Sequence, residues 1–238
     1  MNWVRRVLHP ILSRHLGASL AGCLFLLLIL CPAISEALPA AQTHPLPPRL
    51  AQWHDRANRG DYFERVEKTT PGYLVWSEFP VKVYVDGGRE EARSQVWDDA
   101  VRQAVDEWSA YLPLQTVTQA QQADIAIVRA APPLKFPPTQ RVRSAETRFE
   151  LYTKGSPAIL YHRCSIFIQP SQADIYLVAA ARHELGHALG IWGHSPVETD
   201  ALYFSQVRDP LPISERDVNT LKRVYQQPTR LGWKVSKK

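Results

Sequence analysis

Apolar positions along the chain switch between a period of two and a period near 3.6, and the switches mark its elements. In "YLVWSEFPVKVYVD", Val81, Val83 and Val85 alternate with Lys82 and Tyr84, which predicts a strand with one buried face. Gly87 and Gly88 end it. The next stretch, residues 89–112, places Val96, Trp97, Ala100, Val101, Ala104, Val105 and Trp108 on one helical stripe, the pattern of core packing rather than of a cofactor surface. "LPLQTV" and "ADIAIVRA" predict two short strands, and "TRFELYT" and "AILYHRCSIFI" a strand pair joined across "KGSP". The proline-rich "APPLKFPPTQ" between them reads as a surface loop. A further helix opens at "PSQAD", with Ser171 as N-cap and Asp174 three residues on, and stops near Gly190. The last begins after Ser214, with Asp217 at the box position and Pro228 beyond its end. Residues 49–68 also predict helix, before "TTPG" breaks the chain. The fold class is therefore α+β: a twisted mixed sheet packed on the long N-terminal helix and on the helix ending at Gly190, with a C-terminal helix.

The N-terminus adds a targeting segment. Arg5, Arg6 and Arg14 precede an uncharged run from Leu16 to Ser35, with "CLFLLLILC" at its centre. That is the layout of an export signal, with Ser35 and Ala37 as the small residues of a cleavage site. A run of this length also suits a retained membrane anchor, and membrane contact is expected only through residues 16–35 if it is retained. In both readings the positive flank stays inside and the rest is exported. The division that follows is 1–37 signal or anchor, 38–70 proline-rich linker and helical extension, 71–228 folded domain, 229–238 basic tail.

Composition narrows the function classes. The 238 residues are 45% hydrophobic and 21% charged, with a net charge of +5. Residues 1–37 carry Arg5, Arg6 and Arg14 against Glu36, leaving 25 basic and 22 acidic residues, a net +3. That charge is too small and too dispersed for a nucleic-acid binder. Cys23 and Cys31 lie in the leader, so Cys164, within an apolar strand, is left as a buried structural thiol in a domain without disulfides.

The chemistry concentrates in "HELGHALGIWGHS", His183 to Ser195. On a helix His183 and His187 share a face and can address one metal, while Glu184, rotated about 100° away, can reach a water on that metal. Imidazole suits zinc, which in catalytic sites keeps three protein ligands and one open position. The segment is apolar, with Leu185, Ala188, Leu189, Ile191 and Trp192, so without a metal its histidines and glutamate would be desolvated for nothing. The third ligand is His194, returned by a loop after Gly190, or else Glu198 or Asp200. Gly193 is expected to give His194 its reach through an unusual backbone dihedral. His44, His54 and His162 need only surface or core roles.

These residues resemble the metzincin zinc proteases and, within them, the matrixins. The family motif is HExxHxxGxxH, often followed by serine. His183, Glu184, His187 and Gly190 fit it in register, and Ser195 follows the last histidine. The order of "FPVKVYVD", the Trp97–Trp108 helix, "ADIAIV", the HExxH helix and "SERDVNTLKRVY" is similar to a matrixin catalytic domain over about residues 71–228. Two features depart from the pattern. "IWG" inserts three residues where the family has two, and Leu202 in "TDALYFS" stands where metzincins have a methionine. Met1 is the chain's single methionine. Leucine is close in volume, so that exchange is expected to be mild.

The resemblance implies an exported zinc endopeptidase acting on peptide or protein substrates. His183, His187 and His194 would hold Zn2+, and Glu184 would be the general base. Substrate would lie extended along a sheet edge near "TRFELYT", with residues 196–211, including Leu202 and Tyr203, walling the pocket beyond the scissile bond. The alternatives are a zinc-containing binding module of the same fold without catalysis, and a membrane-tethered protein whose sheet recognises partners without metal.

Overall fold

Val81, Val83 and Val85 are sequestered while Lys82 faces solvent, and this alternation makes residues Val81–Val85 the first strand, β1. The computed structural model describes residues 38–87, 94–133 and 143–235. The leader, residues 88–93, where the sequence pattern expects the long helix to start, most of "APPLKFPPTQ" and the last three residues lie outside the described residues.

A short helix α1 (Pro48–Gln52) precedes β1; then come α2 (Ser94–Ser109), β2 (Leu114–Val117), β3 (Ile125–Val128), β4 (Ala145–Lys154), β5 (Ile159–Ile168), α3 (Asp174–Leu189) and α4 (Glu215–Tyr225). The five strands form one sheet in the order β2-β1-β3-β5-β4. All neighbours pair in parallel except β4, which runs antiparallel to β5 as a hairpin and occupies an edge. The mixed α+β architecture is thus the one the pattern of apolar positions implies.

The α2 stripe behaves as core. Trp97, Val101, Ala104 and Trp108 are fully buried, and the Trp108 indole donates to the Arg182 carbonyl at 2.9 Å, fastening α2 to α3. The Arg182 guanidinium forms an ion pair with Glu107 across the same contact. β5 buries Leu160, His162, Cys164, Ile166 and Ile168 on one face. Cys164 is a free buried thiol, and burial pushes its pKa up. His162 stacks on Trp76 with ring centroids 3.9 Å apart, and its desolvation lowers the imidazole pKa to about 3.

Three local expectations need correction. Residues 49–68 are not one helix: only α1 and a single 3-10 turn, Phe63–Arg65, are helical. Asp55 accepts from the Ala57 and Arg59 backbones and Asn58 and Gly60 adopt positive φ, so local turns displace the helix. "YLVWSEFP" is not strand, since Leu74, Val75 and Trp76 are buried in succession rather than alternately. Ser171 does not cap α3. Its hydroxyl accepts from Gln169, and the helix starts at Asp174 behind Ala173, which offers no side-chain cap.

Residues 38–74 pack against the domain as a strap, and Leu50, Tyr62 and Val66 sit in the main hydrophobic cluster. Gln42 and Thr229 exchange backbone hydrogen bonds of 2.9 Å, and His44 stacks on Trp233 at 4.3 Å. Leu231, with Leu74 and Leu160, forms a smaller cluster beneath this clasp.

Candidate metal centre

Helix α3 sets the first two imidazoles four residues apart, and Gly190 ends it. That residue has φ 131° and ψ −11°, and its N–H returns to the His187 carbonyl at 3.0 Å. A Cβ there would lie 2.6 Å from the Leu74 carbonyl oxygen, so both the left-handed φ and the close approach require glycine. The chain then tightens instead of looping out. Trp192 N–H bonds the Gly190 carbonyl and Gly193 N–H the Ile191 carbonyl, each at 2.9 Å and each only two residues back. Two successive γ-turn contacts absorb the extra residue of "IWG".

Gly193 therefore works differently from the sequence-based expectation, since its φ is not left-handed. What it supplies is room: a Cβ would overlap the Arg65 carbonyl of the strap. Val66 pairs with Gly193 in an antiparallel bridge, and Glu67 N–H donates to the Trp192 carbonyl at 2.8 Å. The strap thus fixes the main chain immediately before His194.

His183, His187 and His194 converge, with one ligand nitrogen from each lying within 4.8 Å of the others. Among the described residues this is the group of His, Cys, Asp and Glu side chains able to hold a metal. The tautomers follow from the partners. His183 Nδ1 faces the Ala201 carbonyl at 3.0 Å and His187 Nδ1 the Ile191 carbonyl at 2.7 Å, so both Nδ1 atoms carry the proton and donate. Their Nε2 atoms then present lone pairs to one another at 3.1 Å. Two acceptors so close repel unless a cation lies between them. Two nitrogens on one tetrahedral zinc stand about 3.3 Å apart, given Zn–N near 2.0–2.1 Å. The donor set fits zinc.

Electrostatics favour the metal-binding forms. Desolvation, reinforced by the neighbouring histidines, keeps the His187 pKa well below its ordinary value. His194 is the most exposed of the three, yet desolvation of its inner face, with His183 and Arg143 nearby, lowers it to about 4. Glu184 is buried, which raises its carboxyl above the usual range. Thr147 on β4 donates to its Oε2 at 2.6 Å and also reaches the Glu184 carbonyl at 2.9 Å, so the edge strand aims the carboxylate.

Beneath the imidazoles, Leu202 is fully buried against Gly186, whose absent Cβ would lie 2.5 Å from a Leu202 methyl. Leu202 is thus the floor under the ligands and does not line the adjoining pocket; Tyr203 does, with Phe204, Tyr176, Ala180 and Leu211. Phe204 is 65% exposed at the boundary between that pocket and the metal cleft. The two alternative ligands are placed elsewhere. Asp200 is buried and accepts from Ser195 Oγ (2.5 Å), Ser214 Oγ (2.8 Å) and Arg216 Nε (3.0 Å), while Glu198 is exposed on the pocket wall.

Asp217 is the supporting residue whose role the sequence pattern understates. It completes the capping box of α4, as read, with Ser214. The same carboxylate, fully buried, also accepts from Ala201 N–H at 2.9 Å and Tyr62 Oη at 2.5 Å. A chain of bonds therefore runs from Tyr62 on the strap through Asp217 and Ala201 to His183. Thr147 and Tyr62 carry no motif, and only the tertiary structure brings them in.

A mostly parallel sheet with a HExxH helix against its edge strand, and a third imidazole returned by the following loop, defines a zinc-dependent metalloprotease. Residues 75–226 match the family model of the matrixins, and the chain belongs to that family. No curated protein matches it. The family is zinc-dependent, in agreement with the three-histidine group.

Proposed function

We propose that the chain is an exported zinc endopeptidase in which His183, His187 and His194 hold the metal and Glu184 is the general base. The observation that carries this is the facing pair of Nε2 lone pairs at 3.1 Å, each imidazole fixed by a carbonyl on its far nitrogen. Zinc, when bound, polarises the substrate carbonyl and acidifies water toward neutrality. Glu184, one residue from His183 and steadied by Thr147, takes the proton of the attacking water and passes it to the departing amine. The outer edge of β4, which pairs with no further strand among the described residues, offers its backbone to an extended peptide, and the pocket walled by Tyr203 and Leu211 receives the side chain after the scissile bond. Export rests on the uncharged run Leu16–Ser35 behind three arginines.

The test is a peptide-library digestion by residues 38–238 with and without chelator, beside elemental analysis for zinc. The expected result is one zinc per chain, chelator-sensitive cleavage, and a Glu184→Ala protein that keeps zinc but loses about 10²–10⁴-fold in rate. Near-normal cleavage by that variant moves the chemistry elsewhere. A zinc-loaded but inactive wild-type protein supports the binding-module alternative.

A further inference from the structure

The metal cleft extends beyond the three imidazoles to Glu67, Trp192 and Gly193. The pocket walled by Tyr203 and Leu211 shares Ser144, Ala145, His183, Glu184 and Phe204 with this cleft but none of those three residues, so Glu67 lines the metal cleft and not that pocket. Its position is set by main chain. Val66 pairs with Gly193, and Glu67 N–H donates to the Trp192 carbonyl at 2.8 Å, while its side chain is exposed. The other carboxylates of the cleft are engaged: Glu146 by Arg148 at 2.8 Å and Arg143 at 3.5 Å, Glu184 by Thr147 at 2.6 Å. Among the described residues the Glu67 side chain has no ion-pair or hydrogen-bond partner. A lone negative charge on the wall of a cleft focuses its field on whatever the cleft holds. The strap lies outside residues 75–226, so this charge is not part of the matched matrixin segment.

We propose that Glu67 is a specificity determinant that selects substrates with a lysine or arginine shortly before the scissile bond. The proposal rests on the peptidase reading above, in which the pocket walled by Tyr203 and Leu211 takes the side chain after that bond. An extended peptide on β4 then carries its preceding residues over the imidazoles toward Glu67. The contact is solvent-exposed, so its effect is modest, about threefold in kcat/KM between Lys and Glu at the selected position.

The test uses the zinc-loaded protein on positional-scanning peptide libraries. Wild type should favour Lys or Arg at one of the three positions before the cut, Glu67→Gln should level that preference, and Glu67→Lys should invert it. The preference should also shrink as salt rises. Both variants keep the backbone N–H that bonds Trp192, so zinc content and Tm should match wild type. Identical profiles in all three proteins, or a uniform rate change with unchanged ranking, overturn the proposal. Fluorescence anisotropy of the Lys and Glu peptides on zinc-loaded Glu184→Gln protein, with and without Glu67→Gln, separates charge selection from catalysis. Loss of all hydrolysis in wild type sinks the peptidase reading, whereas equal affinities for the two peptides sink the Glu67 assignment.

Discussion

The contact between the strap and the loop before His194 can be broken with one methyl group. In Gly193→Ala the added Cβ would lie 2.1 Å from the Arg65 carbonyl oxygen, 2.9 Å from its carbon and 3.0 Å from Val66 Cα. All three are backbone atoms, so no rotamer change relieves the overlap, and the two segments must part by more than about 1 Å to restore ordinary packing. That separation breaks the 2.8 Å bond from Glu67 N–H to the Trp192 carbonyl and the Val66–Gly193 bridge. Overpacking of this kind costs about 1–3 kcal/mol and the lost hydrogen bond about 1 more, a total of roughly 2–4 kcal/mol. For a domain of this size each kcal/mol shifts Tm by about 2–4 °C, so a drop of roughly 4–16 °C is expected. Because His194 follows directly, zinc affinity should fall as it does when an outer support of a ligand is lost, about 10–100-fold. Calorimetry of the apo protein and competitive titration against a chromophoric chelator measure the two effects. Gly87→Ala is the control, since among the described residues its Cβ would meet nothing nearer than Asp98 Oδ1 at 3.9 Å. A Gly193→Ala protein with wild-type Tm and zinc affinity within about twofold would refute the claim that the strap positions the third ligand.

Leu202→Met should cost under about 1.5 kcal/mol in chemical denaturation, because the floor under the imidazoles needs volume rather than sulfur, whereas Leu202→Ala should cost about 2–5 kcal/mol. Tyr62→Phe removes a donor from the buried Asp217 carboxylate and should destabilise by about 1–3 kcal/mol in urea unfolding; no change would show that the Tyr62 hydroxyl is not needed there. His194→Ala should weaken zinc binding severely, while Asp200→Ala, which removes the buried carboxylate that accepts from Ser195, Ser214 and Arg216 and costs about 3–5 kcal/mol of stability, should keep a full equivalent of zinc at low temperature. The opposite result would make Asp200 the third ligand.

What the sequence revealed divides along the line between local and tertiary causes. The α2 stripe, the alternation in β1, the β4–β5 strand pair, the Ser214–Asp217 box and the stop at Gly190 are each set by residues close in the chain, and each was readable. The helix expected over residues 49–68 failed because Asp55 caps nearby N–H groups in turns, a competition that apolar spacing does not register. Ser171 failed for a similar reason, with Gln169 occupying its hydroxyl. At the site, the two imidazoles on α3 follow from spacing alone. The tautomers do not: they depend on carbonyls at Ile191 and Ala201, the second of them 18 residues from His183. Gly193 shows the same limit, because a glycine required by a neighbouring backbone looks in sequence like one required by its own φ.

The strap changes what should count as the functional domain. The matrixin match begins at residue 75, yet Tyr62 supports the Asp217–Ala201–His183 chain and Arg65–Glu67 hold the loop that delivers His194. Both supports reach the metal ligands from residues before the matched segment, one through a buried carboxylate and one through main-chain bonds. The chain has already gone beyond the family pattern at this point, with three residues between Gly190 and His194, and it is against the inserted loop that the strap packs. An insertion in a ligand loop adds freedom to the ligand it carries, and pairing the loop with a second segment removes that freedom again. On this reasoning the long "IWG" loop and the strap are one arrangement. A domain cut at residue 75 would carry every residue of the HExxH motif and still lack what holds His194 in place.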